Sequence, residues 1–193
     1  MEIINAPGDK KSNRQMAEIL FAGFRDTGTQ GWSTPEECLA EVEESFAENK
    51  INRIAVEDKK VLAWTIGAEI YEGHTWELEL LVVRRDNQLR GIGRSMLVDF
   101  EEQVKARGGS VIFLGSDDEN NRTSLGGKEL YPNPLEHLAE IRNLRRHPYE
   151  FYQKCGYTIV GVVPHANGFG KPDIYMTKSI FNSADKNSSA SEA

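Results

Sequence analysis

The hydrophobic pattern in the middle of the chain is typical of β-strands. Residues 53–58, 61–70 and 75–83 are rich in β-branched and aromatic side chains, and short polar stretches separate them. Such closely spaced runs predict three consecutive antiparallel strands. A nearly all-apolar run after them is typical of a strand buried on both faces. This run covers residues 110–116, and two later runs, 158–163 and 173–180, predict the last strands.

Apolar residues at helical spacing predict helices on both sides of these strands. Asn13 is the predicted cap of the first helix. The second has a stronger start signal, because Thr34, Pro35 and Glu37 provide a cap, a first-turn proline and a capping-box acid. A third helix follows the strand 75–83 and ends at a glycine pair. Two shorter helices are predicted over 135–146 and from 149 up to Gly156.

Length and composition suit one domain. The 193 residues are 39% hydrophobic, which is enough for one core, so we predict a single domain over 1–181 and a disordered polar tail over 182–193. No apolar run approaches the about 20 residues that cross a bilayer, and the first seven residues lack signal-peptide features, so we expect a cytoplasmic protein without membrane contact. Cys38 and Cys155 stand far apart, so neither a disulfide framework nor a zinc site is predicted.

The formal net charge is −7. An acidic chain lacks the general attraction to phosphate backbones on which nucleic-acid binding depends. The charge suits a small cationic substrate, although many proteins carry such a surplus only to stay in solution.

An acid pair lies within the third predicted strand. Because strand side chains alternate, Glu77 and Glu79 are expected to share one face with Leu81 and Val83, about 7 Å apart. Trp76, Leu78, Leu80 and Val82 are expected on the other face. One carboxylate could hold an ammonium group while the other removes its proton. An acid pair on a solvated strand face would have the same sequence.

A glycine pair opens the helix after this strand. Glycines at a helix start let backbone N–H groups approach an anion, and the helix dipole favours one there. Gly91 and Gly93 do not form a dinucleotide fingerprint, because Met96 stands where a third glycine would be, and no Gly-Lys-Ser/Thr follows as in a P-loop. A glycine pair is also compatible with simple helix entry.

Together these motifs resemble the GNAT superfamily of N-acetyltransferases. Residues 88–93 (QLRGIG) match its Q/R-x-x-G-x-G/A acyl-CoA loop, and 151–157 (FYQKCGY) are similar to its late helix. The segments 75–83, 107–120 and 141–174 are similar to the enterococcal-type subgroup of aminoglycoside 6'-N-acetyltransferases. The subgroup's strand reads Trp-Glu-Leu-His-Pro-Leu-Val, whereas Glu79 and Leu80 replace its histidine and proline here.

The resemblance implies an α/β (α+β) fold: a mixed, mostly antiparallel central sheet flanked by helices, with two strands splayed in mid-sheet. It implies acetyl-CoA as cosubstrate and no metal. The pantetheine arm would lie in the splay along the third strand, and the glycine loop would hold the pyrophosphate. The implied cofactor-binding residues are Leu81, Val82, Val83, Gln88, Leu89, Arg90, Gly91, Ile92 and Gly93.

The resemblance also implies acetylation of the 6'-amine of an aminoglycoside, by direct attack of the deprotonated amine on the thioester, and hence antibiotic resistance. Glu77 or Glu79 would be the base, and Tyr152 would protonate the leaving thiolate. The implied substrate-binding residues are Glu77, Glu79, Asp117 and Asp118, and a homodimer is expected. Polyamines, protein lysines and terminal amines stay open as acceptors. A non-enzymatic acyl-CoA-binding module would be expected to lack the base and the acid, which are present.

Overall fold

The computed structural model describes residues 1–25 and 31–181, so the predicted tail 182–193 lies outside the described residues. The helices are α1 (Lys10–Phe24), α2 (Pro35–Glu44), α3 (Ile92–Ala106), α4 (Pro134–Ala139) and α5 (Tyr149–Lys154). The strands are β1 (Glu2–Asn5), β2 (Lys50–Glu57), β3 (Lys60–Ile70), β4 (Thr75–Val83), β5 (Val111–Asp117), β6 (Thr158–Val163) and β7 (Asp173–Ser179). They form one seven-stranded sheet in the order β1-β2-β3-β4-β5-β7-β6.

The sheet is antiparallel except between its central strands, β4 and β5. These pair in parallel over three positions only, Thr75–Glu77 against Val111–Phe113. Beyond this pairing β4 continues to Val83 and β5 to Asp117. The two strands therefore diverge toward their carboxyl ends, and the predicted mixed sheet with a mid-sheet splay is confirmed.

Two apolar cores lie on opposite faces of the sheet. On the α3 face, Trp76 and Leu78 pack with Phe100 and Val104 of α3, together with buried residues of β5 and β7. On the α1 face, Leu80 and Val82 pack with residues of α1, among them Leu20. The α3 face also carries α5, whose aromatic residues contact the first core.

A β-bulge in β4 explains why one strand contributes to both cores. Ile66 pairs with Leu80 and Gly67 pairs with Leu78, so Glu79 is the extra residue. The predicted common face for Trp76, Leu78, Leu80 and Val82 is therefore wrong, and Leu81 and Val83 pack beside α3 instead of sharing the face of Glu77. A Cβ at position 67 would lie 2.3 Å from the Glu77 carbonyl oxygen, so the close approach of the two strands requires glycine.

Several local predictions are confirmed and others need correction. Thr34 and Glu37 form the predicted capping box of α2. The cap of α1 is Asp9 and not Asn13, since the Asp9 carboxylate accepts from the amides of Lys11 and Ser12. Strand β1 was not predicted. Cys38 and Cys155 are free thiols.

The predicted helix over 135–146 is too long. Helix α4 ends at Ala139, and the following backbone pairs with the loop after β5: the Ser124 amide donates to the Arg142 carbonyl and the Leu144 amide to the Arg122 carbonyl. These bonds satisfy backbone groups that a longer helix would have paired internally. Within residues 1–25 and 31–181, no helix has the length and apolarity needed to span a bilayer.

Candidate active site

Four carboxylates gather on the α1 face near the splay, and we call them the acidic cluster: Glu77, Glu79, Asp117 and Asp173. Glu77 pairs with Phe113 at the last parallel position of β4 and β5. Asp117 and Asp173 lie opposite each other where β5 pairs with β7. Glu77, Asp117 and Asp173 alternate with residues buried on the α3 face, so their side chains point the other way. Glu79 lies in the bulge, and its ion pair with Lys50 places its carboxylate on the same face as Glu77.

The two glutamates of β4 have different surroundings. Glu79 forms an ion pair with Lys50, whose Nζ lies 3.0 Å from its Oε2. Glu77 is half-buried, and burial is the main cause that raises the pKa of its carboxyl; the charge of Glu79 raises it further, while Lys50 lowers it. The structure thus brings the two predicted carboxylates together, and Lys50 is an addition that the sequence did not point to. A half-buried carboxylate with a raised pKa, such as that of Glu77, is a candidate general base.

Asp173 was missed by sequence reasoning. Burial raises the pKa of its carboxyl to about 7, and the charges of Asp117 and then Glu77 add to the shift. Its Oδ1 is buried without a hydrogen-bond partner among the described residues. Gly115 makes room for it, because a Cβ there would lie 2.5 Å from Asp173 Oδ2. Such a carboxyl gains a partner when an ammonium group arrives.

Asp117 and Asp118, which were predicted together, are placed differently. Asp117 is exposed beside Asp173. Asp118 is 0% exposed, and it accepts hydrogen bonds from the Arg122 amide at 2.6 Å and from both the amide and hydroxyl of Thr123. Asp118 therefore holds the loop after β5, and only Asp117 belongs to the acidic cluster.

A buried histidine fixes the end of β5. The Nδ1 of His147 accepts from the Tyr149 amide at 3.3 Å, so its Nε2–H donates to the Asp117 carbonyl at 3.0 Å. Burial lowers the pKa of His147, which favours the neutral ring that this arrangement requires. The histidine thereby positions Asp117 without reaching the acidic cluster itself.

The divergence of β4 and β5 leaves one edge of β4 open. On its other edge β4 pairs with β3 along its whole length. Toward β5, the described residues give Leu81, Val82 and Val83 no strand partner, since the parallel pairing ends at Glu77. The Val82 side chain is buried against α1, whereas Leu81 and Val83 are half-buried on the α3 face. An extended ligand could pair with this free backbone as an added strand.

The predicted glycine loop follows β4 directly along the chain. A 3₁₀ turn over Arg85–Asn87 leads to Gln88, whose side-chain amide donates to the Val83 carbonyl at 3.1 Å. Leu89 is fully exposed, and Arg90 and Gly93 flank the helix start at Ile92.

Gly91 caps α3 in a left-handed conformation, with φ of 84°, and no side chain caps the helix. A Cβ on Gly91 would meet nothing within 4 Å. The first amides of α3 thus have no side-chain cap, and Arg90 and Arg94 stand next to them in the sequence, which suits a diphosphate.

Tyr152 lies on the opposite side of the sheet from the acidic cluster. Its ring packs edge-on against Phe151 and Tyr157, with ring centres 5.2 and 5.8 Å away. Burial raises the pKa of its hydroxyl, so the phenol stays protonated at neutral pH. Phe151 also touches the glycine loop, since a Cβ on Gly93 would lie 3.3 Å from its ring. Helix α5 thus places Phe151 against the loop, with the Tyr152 ring beside that of Phe151.

The sequence matches the acetyltransferase (GNAT) family over residues 14–126. The chain belongs to the GNAT family of acetyltransferases. The matched region contains the bulge, the splay and the glycine loop but ends before α5. A comparison with curated protein sequences gave no significant match.

Three solved structures are similar to this GNAT chain over nearly its whole length. An aminoglycoside 6'-N-acetyltransferase complexed with coenzyme A is 35% identical, with a TM-score of 0.84 over 94% of this chain and 98% of its own. The aminoglycoside 6'-N-acetyltransferase from Enterococcus faecium is 34% identical, with a TM-score of 0.85 and coverage of 94% and 98%. An aminoglycoside 6'-acetyltransferase type Ii is 31% identical, with a TM-score of 0.66 and coverage of 94% and 99%.

The protein is therefore an acyltransferase that uses acetyl-CoA. The residues present fit this cosubstrate: the open edge of β4 suits an extended pantetheine arm, and the uncapped start of α3 suits its pyrophosphate. Among the described residues, no group of three or more histidine, cysteine or acidic side chains is arranged to hold a metal ion.

Proposed function

We propose that this acetyltransferase acetylates the 6'-amine of aminoglycoside antibiotics. The observation that carries the proposal is the acidic cluster, in which four carboxylates surround the point where β4 and β5 part. A polycationic amine needs several carboxylates for its charge, and this cluster offers more than one ammonium group a partner. The similar aminoglycoside 6'-acetyltransferases support the same substrate class.

In the proposed mechanism, Glu77 accepts a proton from the substrate ammonium, directly or through a water, which makes the amine nucleophilic. Its raised pKa makes it a stronger base than an ordinary glutamate. Glu79 keeps its ion pair with Lys50 and adds negative charge beside Glu77. Asp117 and Asp173 would bind further ammonium groups of the substrate.

Residues on the other side of the splay would serve the acyl donor. Acetyl-CoA supplies the acetyl group as an activated thioester. The Leu81 amide would donate a hydrogen bond to the thioester carbonyl, and backbone groups of Leu81 and Val83, which alternate with those that pair with β3, would hold the pantetheine arm. Residues 88–93 would hold the pyrophosphate. Tyr152, held protonated by burial, would donate its proton to the departing thiolate.

The expectations of a homodimer and of a role in antibiotic resistance rest on the resemblance and belong to the same proposal, as does the cytoplasmic location expected from the sequence. A homodimer predicts twice the chain mass of 21.7 kDa in light scattering, and a monomer mass at working concentration would contradict it.

Two matched substrates test the reaction. Neamine and paromamine differ only in an amine or a hydroxyl at the 6' carbon, so thiol release from acetyl-CoA is expected with neamine and not with paromamine. Equal turnover of both would show that an amine other than the 6'-amine is acetylated. If neither reacts, the same assay with spermidine and with a lysine-containing peptide decides between the polyamine and protein acceptors.

A further inference from the structure

Three aromatic rings stand together outside the apolar core, and we call them the aromatic shelf: Tyr131, His165 and Phe169. The His165 ring stacks on Phe169 with ring centres 4.8 Å apart and planes 18° apart. These two residues lie in the loop between β6 and β7. Tyr131 lies in the loop between β5 and α4, and its ring centre is 6.0 Å from that of His165. Phe169 is 74% exposed and Tyr131 is 57% exposed. An exposed cluster of large apolar side chains is a feature of binding surfaces.

The shelf is held in place although it is exposed. The His165 ring accepts from the Gly170 amide at 2.9 Å through Nδ1, and its Nε2 lies 3.0 Å from the Glu129 carboxylate. The Gly127 amide donates to the Gly170 carbonyl at 2.7 Å, which joins the two loops. These bonds fix the His165 ring, on which Phe169 stacks, and a ring fixed before a ligand arrives loses little conformational freedom on binding.

The shelf continues from the acidic cluster. Asn167, between His165 and Phe169 in the same loop, donates a side-chain hydrogen bond to Asp117. Phe113, which is paired with Glu77, stands four strand positions before Asp117, a span of about 13 Å. The loop that carries His165 and Phe169 therefore lies at the Asp117 end of the acidic cluster, which is the end remote from Glu77.

The chemistry of the shelf matches a ring that carries an amine. Aromatic faces attract ammonium groups and pack against the carbon faces of sugars. The Glu129 carboxylate beside His165 is half-exposed, and hydrogen bonds from the Tyr131 amide and from His165 lower its pKa, so it is ionised at neutral pH. A carboxylate next to exposed aromatic faces can bind a charged aminosugar from two sides.

We propose that the aromatic shelf, with Glu129, binds the aminosugar ring of the substrate that lies farthest from the reacting amine. The inference rests on the proposed function and adds to it a determinant of substrate size. A two-ring substrate anchored at Glu77 would end within the acidic cluster, whereas a three-ring substrate would extend past Asp117 and contact Phe169.

The test compares Phe169→Ala with the wild type on neamine, which has two rings, and on tobramycin, which has three. We expect KM for tobramycin to rise about three- to tenfold, with kcat unchanged and KM for neamine within about twofold of the wild type. Phe169→Trp keeps an aromatic face and is expected to retain the wild-type KM. Phe181→Ala removes another exposed ring, at the opposite end of β7, and should change neither KM.

Each outcome separates the two proposals. An unchanged tobramycin KM in Phe169→Ala, or an equal rise for both substrates, overturns the shelf while the proposed function stands. Wild-type protein that turns over neither neamine nor tobramycin overturns the proposed function, and the shelf assignment with it. The Kd for coenzyme A, measured by calorimetry on each variant, shows that the fold is intact.

Discussion

Glu77→Gln is expected to lower kcat/KM for neamine by about 10²–10⁴, the usual contribution of a general base. Glutamine keeps the size and polarity of the side chain but cannot accept the proton that the ammonium group must lose. The Kd for coenzyme A should be unchanged, because Glu77 lies on the α1 face and the cofactor-binding backbone follows it along β4. Steady-state kinetics and calorimetry on the same preparation measure the two quantities separately.

Glu79→Gln is the matched control for this change. It stands two residues further along the same strand, and its carboxylate is already engaged by Lys50. We expect a loss of less than about tenfold in kcat/KM, since a charge near the site is removed and the proton acceptor remains. Equal losses in the two variants, or full activity in Glu77→Gln, would contradict the assignment of Glu77 as the base.

The pH profile adds a second readout of the same change. The base must be ionised, and the pKa of Glu77 is raised above the ordinary glutamate value of 4.5. The wild-type kcat/KM should therefore fall as pH drops through that raised pKa, and the titration of Asp173 near pH 7 adds to the decline. In Glu77→Gln the part of the decline that belongs to Glu77 should be lost, and the Asp173 part should remain.

Gly91→Ala is expected to weaken coenzyme A binding by at least about tenfold, or about 1.4 kcal/mol. A methyl group at this position would meet nothing in the free protein, since no atom lies within 4 Å. It would stand at the uncapped start of α3, where the pyrophosphate is expected. The variant should therefore fold, and the loss should be visible as a higher Kd in calorimetry.

Gly108→Ala is the control for backbone strain. Gly108 follows the other end of the same helix, has φ of 82° against 84° for Gly91, and likewise has no atom within 4 Å of a Cβ. Both alanines carry a similar cost of about 1 kcal/mol for a left-handed residue. Similar losses of thermal stability with a Kd change only in Gly91→Ala support the loop as the pyrophosphate site. Equal Kd values in the two variants would contradict it.

Local patterns predicted most of the secondary structure because each depends on a few neighbouring residues. The capping box of α2 and the glycine-led start of α3 are examples. The bulge at Glu79 could not be predicted from alternation, because it depends on Gly67 of the neighbouring strand. The helix predicted over 135–146 was too long for a similar reason, since residues 142–144 pair with a loop about twenty positions earlier.

The candidate site shows the same limit. The sequence pointed to Glu77, Glu79 and the glycine loop, which are close together along the chain. Asp173 was missed because it joins the acidic cluster only through the register of β5 with β7, and nothing near it in sequence signals that partner. The choice between Glu77 and Glu79 depended on Lys50, which reaches Glu79 from β2. Asp118 looked equivalent to Asp117 until the loop showed that its carboxylate is fully used.

The position of the new acetyl group on neamine is the most direct test of the proposed reaction. The product made with acetyl-CoA labelled with ¹³C in the acetyl group can be located by two-dimensional ¹H–¹³C NMR, through the correlation of the labelled carbonyl with the protons of the acylated position. The proposal predicts a single product acetylated on the 6' nitrogen. Acetylation of any other nitrogen would contradict it, and the roles assigned to the acidic cluster with it.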